Sequence, residues 1–171
     1  DAPETWSAIE IADSGSGHAD DHINLAYDSQ GRVYAITKDD NDNMRVHRRG
    51  TSGGWTTKTN VLGGIGTRGI LMVAEADAKV YILYTRWGVS PERIEYRVAD
   101  IGTLSFGGET TFISSSSDMN NVTGMKQILP AGCLIAVAEN SSQCLYNSFG
   151  NPPGGTTQPP AAPQNLLAAL A

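Results

Sequence analysis

The order of apolar and polar residues between positions 19 and 38 predicts a β-hairpin. Residues 23–27 form a short apolar run bounded by polar residues, and residues 32–36 form a second run rich in β-branched and aromatic side chains. The turn between them is Asp28-Ser29-Gln30-Gly31. Asp can accept hydrogen bonds from the backbone just downstream, and Gly tolerates a positive φ. Two such runs around a four-residue turn predict a pair of antiparallel strands.

The same hairpin pattern recurs twice further along the chain. Residues 70–85 and 125–139 each hold an apolar run, a short turn and a second apolar run, so residues 125–129 are expected to be a strand. A third strand follows every hairpin, and a fourth follows the first two. The hairpin pattern repeats at intervals of roughly 50 residues, which is typical of the four-stranded blades of a β-propeller. A β-sandwich with evenly spaced turns is the alternative.

The sequence predicts three blades, whereas a closed propeller usually has four to eight. The chain opens with a lone strand of the fourth type at residues 5–11, and its last blade lacks a fourth strand. A half ring exposes two bare edges, which proteins normally avoid. We therefore expect that a second copy or partner chain completes the ring, or that the rest belonged to a longer parent chain. In a dimer, the strand at Trp6 would fill the gap beside residues 144–149.

Composition narrows the functional class. Lys and Arg number 12 against 18 Asp and Glu, and the net charge of −6 argues against a nucleic-acid-binding protein. No apolar run approaches the length of about 18 residues that a membrane-spanning helix needs. The charged fraction of 18% and the 19 glycines are common in secreted all-β proteins. We expect an extracellular or cell-surface protein that neither binds nucleic acid nor inserts into a membrane.

Four segments of the chain carry a further resemblance: ADDHINLAYDSQGRVYAITK, GTRGILMVAEADAKVYILYT, IEYRVADIGTLSFG and NNVTGMKQILPAGCLIAVAEN. In order and spacing they resemble a family of uncharacterised secreted bacterial multidomain proteins with a sialidase-like, or BNR-like, β-propeller. Gly69 and Gly124-Met125 depart from the family pattern. The resemblance implies that residues 1–150 are blades from the C-terminal half of such a propeller. It also implies that residues 151–171 are a Pro/Gly-rich linker leading into a fibronectin type III-like segment.

The residues that precede or begin the first strand of each blade are the main candidates for a site. In a propeller these strands line the central channel, and their starts face one mouth, where ligands usually bind. The expected set has mixed charge and suits a carboxylate-bearing sugar, because Arg and Lys bind anions while Asp and His move protons. Its members are Asp20, Asp21, His22, Asn24, Thr67, Arg68, Asn120, Asn121 and Lys126, and Lys38 ends a second strand nearby. The alternative is that these side chains bond to one another and to neighbouring blades.

Three smaller features carry separate expectations. Asp40 and Asp42 lie in a loop with alternating oxygen donors, which suits Ca²⁺. The EF-hand glycine and glutamate are missing, and a solvated turn is the alternative.

Trp87 lies in a Gly- and Pro-containing loop and could contact a ligand or pack within the loop. Cys133 and Cys144 are expected too far apart for a disulfide, each as a small buried residue.

These features favour an extracellular binding or adhesion module, built on a β-propeller, that recognises carbohydrate or another surface ligand. A carbohydrate-active enzyme, either a glycosidase or a polysaccharide lyase, with its site shared with absent blades is one alternative. A structural spacer within a surface protein is the other. Ca²⁺ at Asp40 and Asp42 is the cofactor that the sequence suggests, and a glycan is the ligand that it suggests.

Overall fold

A computed structural model describes residues 8–20, 22–126, 129, 131–150 and 164–165. Within these ranges the chain is all-β, with one turn of 3₁₀ helix at Glu75–Asp77. No helix in the described ranges is long and apolar enough to cross a membrane.

The strands form three four-stranded sheets, which we call blades 1, 2 and 3. Blade 1 consists of β1 (Ile23–Tyr27), β2 (Val33–Lys38), β3 (Met44–Arg49) and β4 (Trp55–Leu62). Blade 2 consists of β5 (Gly66–Ala74), β6 (Lys79–Arg86), β7 (Arg93–Asp100) and β8 (Thr110–Ile113). Blade 3 consists of β9 (Asn120–Gly124), β10 (Leu134–Glu139), β11 (Cys144–Phe149) and β12 (Gln164–Asn165).

Each blade is an antiparallel meander in which every strand pairs with the next one along the chain. The first strands, β1, β5 and β9, contact one another from blade to blade, so they are the inner strands. The last strands, β4, β8 and β12, lie at the opposite edge of each sheet. This is the arrangement of three adjacent propeller blades, and it confirms the expected fold class.

Two apolar layers hold the blades together, and β5 contributes to both. Leu71 faces the layer between blades 1 and 2, whereas the next residue, Met72, faces the layer between blades 2 and 3. Successive side chains point to opposite faces of a strand, so a central blade needs apolar residues at every position. This explains the unbroken apolar run of β5, where Ile70 to Ala74 are all at most 8% exposed.

The first strand of blade 3 lies five residues earlier than expected. The sequence predicts a strand at residues 125–129, but β9 spans Asn120–Gly124 and pairs Thr123 with Val137. Val122 supplies the buried apolar position of this strand. Leu129 is also buried, but it is held by a backbone hydrogen bond of 3.0 Å to the carbonyl of Val73 instead of by β10. The apolar run at residues 125–129 therefore predicted the burial of Leu129 correctly but the position of the strand wrongly.

The two chain ends also differ from expectation. Residues 5–7 of the proposed N-terminal strand lie outside the described residues, and Ala8 to Ile11 form no strand. Instead Glu10 crosses the face of blade 1, where its carboxylate accepts a 2.8 Å hydrogen bond from Arg49 Nε. At the other end β12 pairs with Leu145 and Tyr146, so the last blade does have a short fourth strand.

This pairing bears on two expectations. The chain's own β12 pairs with Leu145 and Tyr146, beside which a partner's Trp6 strand was expected, and Trp6 lies outside the described residues. Of the segment expected to lead into a fibronectin type III-like domain, the structure describes Gln164 and Asn165, which form β12.

The two cysteines are both free, as expected from their separation along the hairpin. Cys144 pairs with Glu139 at one end of the β10–β11 ladder, whereas Cys133 precedes Leu134 at the other end. Cys133 is buried, in agreement with its expected role, and burial raises the pKa of its thiol. Cys144 is exposed, which contradicts the expectation that both would be buried.

Candidate functional site

The inner strands of all three blades begin at the same end of the sheets, which we call the upper end. Because each blade is a meander, the loop between its second and third strands returns to this end. The upper end therefore collects residues before and at the start of β1, β5 and β9, together with the loops of residues 39–43, 87–92 and 140–143.

Two inner strands carry a β-bulge at this end. In β5 the pairing with β6 shifts between Thr67 and Ile70, and Arg68 has a φ of +54°. In β9 the pairing with β10 shifts in the same way, and Asn121 has a φ of +51°. Bulges redirect side chains next to functional sites, and a positive φ is uncommon for residues other than glycine. Repetition in two blades indicates a built feature of the fold.

A hydrogen-bond network joins blades 2 and 3 through these bulges. Arg68 Nη1 donates to Asn120 Oδ1, and the Thr85 hydroxyl donates to the same oxygen over 3.4 Å. Asn121 Nδ2 donates to Glu139 Oε1 on the neighbouring strand. Arg68 is thus held half-buried between blades, and its guanidinium keeps further donors for a ligand oxygen.

A small cavity of about 230 Å³ opens beside this network, between the loops of blades 2 and 3. Its lining residues are Glu92, Asp118, Met119, Asn120, Glu139, Asn140 and Ser141. The loops are fixed to each other, since Asp118 Oδ1 accepts a 2.8 Å bond from the backbone N–H of Glu92. The cavity therefore presents carboxylate and amide oxygens, amide N–H groups and a hydroxyl, which are the groups that bind sugar hydroxyls.

In blade 1 the upper end is occupied by an internal ion cluster. Lys38 is 6% exposed, and its ammonium donates to Asp20 Oδ2 at 2.7 Å and lies 3.1 Å from Asp42 Oδ1. Burial opposes the charge on Lys38, but the hydrogen bonds to Asp20 and Asp42 outweigh it and raise the pKa. Lys38 therefore stays charged, and its ammonium binds Asp20 and Asp42 instead of lying open to an anionic ligand.

The loop proposed for Ca²⁺ is organised by Asp39, not by Asp40 or Asp42. Asp39 Oδ1 accepts hydrogen bonds from the backbone N–H groups of Asn41 and Asn43 at 2.9 and 3.0 Å. Asp42 faces the Lys38 ammonium, and Asp40 is exposed. Among the described residues, no three His, Cys, Asp or Glu side chains cluster closely enough to hold a metal ion.

The remaining candidates are distributed over both ends of the blades. His22 is half-buried just before β1, and Asn24 Oδ1 accepts a 3.1 Å bond from the backbone N–H of Leu71, so it links blades 1 and 2. Trp87 lies at the upper end with 43% of its surface exposed. Lys126 is exposed but follows the far end of β9, which separates it from Arg68. Asp21 lies outside the described residues.

The misplaced strand explains both the wrong position of Lys126 and the residues that the sequence did not reveal. Glu92, Asp118 and Glu139 were not expected in the site, whereas Asn120 was expected there. Residues 120–124 place one apolar residue, Val122, between polar residues. This pattern would have predicted the correct strand and hence the position of the cavity.

Comparisons with known proteins show a likeness to solved structures. No protein-family model and no curated protein matches the chain. Among solved structures, the GH43 endo-arabinanase from Bacillus licheniformis matches with a TM-score of 0.55 and 14% sequence identity. The match covers 88% of this chain and 58% of the arabinanase chain. At this identity the likeness establishes the β-propeller fold alone, and neither the sialidase-like family nor the fibronectin segment is supported.

Proposed function

We propose that this chain is an extracellular carbohydrate-binding module whose ligand lies at the upper end of blades 2 and 3. The observation that carries the proposal is the cavity between Glu92, Asn120 and Glu139, which combines several sugar-type hydrogen-bonding groups in one place. Trp87 begins the loop that ends at Glu92, and its exposed ring offers a stacking surface close in sequence to the cavity.

The structural neighbour suggests which sugar class to test first. The similar solved protein is an endo-arabinanase, so linear arabinan and its oligosaccharides are the first ligands to test. The cavity of about 230 Å³ suits a single sugar residue better than a long chain, because ligand sites that enclose drug-sized molecules are usually about 300–1,000 Å³. The adjoining residues of the polymer would then lie across the open surface towards Trp87.

The test is a binding titration of the folded chain with linear arabinan oligosaccharides and with a panel of other plant and bacterial polysaccharides. Trp87→Ala is expected to weaken binding roughly tenfold, since loss of a sugar-stacking ring costs about 1–2 kcal/mol. Ile9→Ala is the control, because Ile9 is a large apolar side chain that is 97% exposed and does not line the cavity. A folded chain that binds none of these saccharides would refute the proposal.

A glycosidase is the second candidate, and a specific observation favours it. Three carboxylates, Glu92, Asp118 and Glu139, line the same cavity, and most glycosidases use a pair of carboxylates as acid and base or nucleophile. Release of reducing ends from linear arabinan, abolished by Glu139→Gln without loss of binding, would identify an enzyme. Binding without turnover, in the presence of the intact carboxylates, would identify a binding module.

A further inference from the structure

The inner strand of blade 1 exposes a stripe of large apolar side chains. Ile23 is 62% exposed, and Leu25 and Tyr27 are each 57% exposed. All three lie on the side of β1 that faces away from blade 2, because they alternate with Asn24 and Ala26. We call this surface face A.

The strand registers show what face A is built to contact. Leu25 pairs with Ala35 in blade 1, as Leu71 pairs with Ile82 in blade 2. Counting along both ladders makes Tyr27 the counterpart of Val73. In blade 2 these positions are 2% and 1% exposed, because they pack against blade 1. Face A therefore has the residue pattern of a blade-to-blade interface, but no blade in the described part of the chain covers it.

Blade 3 exposes the complementary surface. On its side facing away from blade 2 lie Ile135, Val137, Cys144 and Tyr146, which we call face B. Their counterparts in blade 2 are Tyr81, Leu83, Ile94 and Tyr96. Their counterparts in blade 1 are Tyr34, Ile36, Met44 and Val46. The blade 1 set is at most 1% exposed, and it packs against the face of blade 2 that corresponds to face A.

This correspondence accounts for the exposed cysteine. Cys144 occupies the position of Met44 and Ile94, both of which are 0% exposed in the two existing interfaces. A small apolar residue at this position is expected if another blade covers it.

We propose that face A of one chain packs against face B of a second copy. Each copy carries both faces, so two copies form two identical junctions related by a two-fold axis, and the assembly closes. Three blades from each copy give a ring of six, within the usual range of four to eight. The occupant is a second copy because the chain itself presents the partner surface that its existing interfaces use.

The space on face A fits this arrangement. A groove of about 500 Å³ runs between β1 and the segment of residues 10–19, and its lining includes Ile11, Ile23 and Leu25. Side chains of face B, such as Val137 and Tyr146, would fill it as Tyr34 and Ile36 fill the layer between blades 1 and 2. The inference does not depend on the ligand of the upper end.

The first test is the mass of the chain in solution by light scattering at physiological salt. The result expected is twice the chain mass of 18.1 kDa. A folded monomer would overturn the proposal. Open-ended oligomers would also overturn it, because they show that the A–B contact does not close.

The second test uses charge substitutions on the two faces. Leu25→Glu and Val137→Glu are each expected to weaken self-association about 100-fold or more, since each places an unpaired charge in both junctions. Mixing the two variants restores one intact junction, so a mixed dimer should form although neither variant dimerises alone. Trp87→Glu is the matched control, because Trp87 is exposed but lies on neither face. Unchanged dimers for both face variants, or failure of the mixture to associate, would contradict the model of two A–B junctions.

The third test reads out Cys144 directly. The wild-type dimer should protect Cys144 from a thiol reagent, and Leu25→Glu should increase its labelling rate at least tenfold. Cys133, buried within the blades, is the internal control and should react only on unfolding, when two free thiols per chain are titrated. Rapid labelling of Cys144 in wild type at concentrations that give a dimer would place face B outside the interface.

Discussion

At the residue scale, Asp28 shows how far local sequence reasoning extends. The turn chemistry predicted that its side chain would bond to the downstream backbone, and Oδ1 accepts from the N–H groups of Gln30 and Arg32 at 3.1 and 3.0 Å. The sequence did not predict that Asp28 would be only 1% exposed, with Oδ2 also accepting from Arg32 Nε and the Tyr34 hydroxyl. The burial of Asp28 depends on blade 2 covering the hairpin, a contact between residues far apart in the sequence.

Asp28→Asn is expected to lower the free energy of unfolding by about 2 kcal/mol at neutral pH, because it removes a charge-assisted bond to Arg32. Burial opposes ionisation of Asp28, but the bonds from Arg32 and Tyr34 outweigh it and lower the pKa below the ordinary 3.8. A lowered pKa stabilises the fold above the ordinary value, and this contribution is lost as pH falls through the lowered value. The difference between variant and wild type should therefore shrink below about pH 4.

Denaturant unfolding of both proteins between pH 7 and pH 3 measures this difference. Asp40→Asn serves as the control, since Asp40 is exposed, and its effect should stay within about 0.5 kcal/mol. A pH-independent difference for Asp28→Asn would show that the carboxylate charge is not responsible.

At the element scale, the hairpins of blades 1 and 2 were predictable and the start of blade 3 was not. Periodicity identifies strands that are apolar on one or both faces, as in β2 and β6. Periodicity does not identify β9, because its alternate residues are Asn and Thr. It predicts a strand around Leu129 instead, a residue that is buried but not paired in a strand. The bulges at Arg68 and Asn121 were also hidden, because no local signal distinguishes them from regular strand.

The spacing between blades depends on a glycine in β5. A Cβ added at Gly69 would lie 2.8 Å from Met44 Sδ and 2.9 Å from Ile36 Cδ1, both in blade 1. Gly69→Ala is therefore expected to destabilise the protein by about 1–3 kcal/mol through overpacking. Gly108→Ala is the control, because a Cβ there meets nothing within 4 Å, and it should be neutral or slightly stabilising. Equal thermal unfolding of the two variants would mean that the blades can separate freely.

At the scale of the whole molecule, the blade architecture could be predicted from the sequence but the site could be only partly predicted. The repeat predicted that Arg68 would lie at the end where the inner strands begin, and the structure places it at that upper end because it lies near the start of the well-patterned strand β5. Lys126 was assigned to the same end only because β9 was misplaced. Glu92 and Asp118 reach the cavity through loops, and their approach depends on the packing of blade 2 against blade 3.

The most direct test of the proposed site is hydrogen–deuterium exchange of the folded chain with and without linear arabinan oligosaccharides. The account predicts protection at the upper end of blades 2 and 3, in residues 86–92, 118–124 and 139–143. Protection confined to the opposite loops, residues 28–32 and 75–78, or to face A, would contradict it. Unchanged exchange throughout the chain at a saturating ligand concentration would contradict it as well.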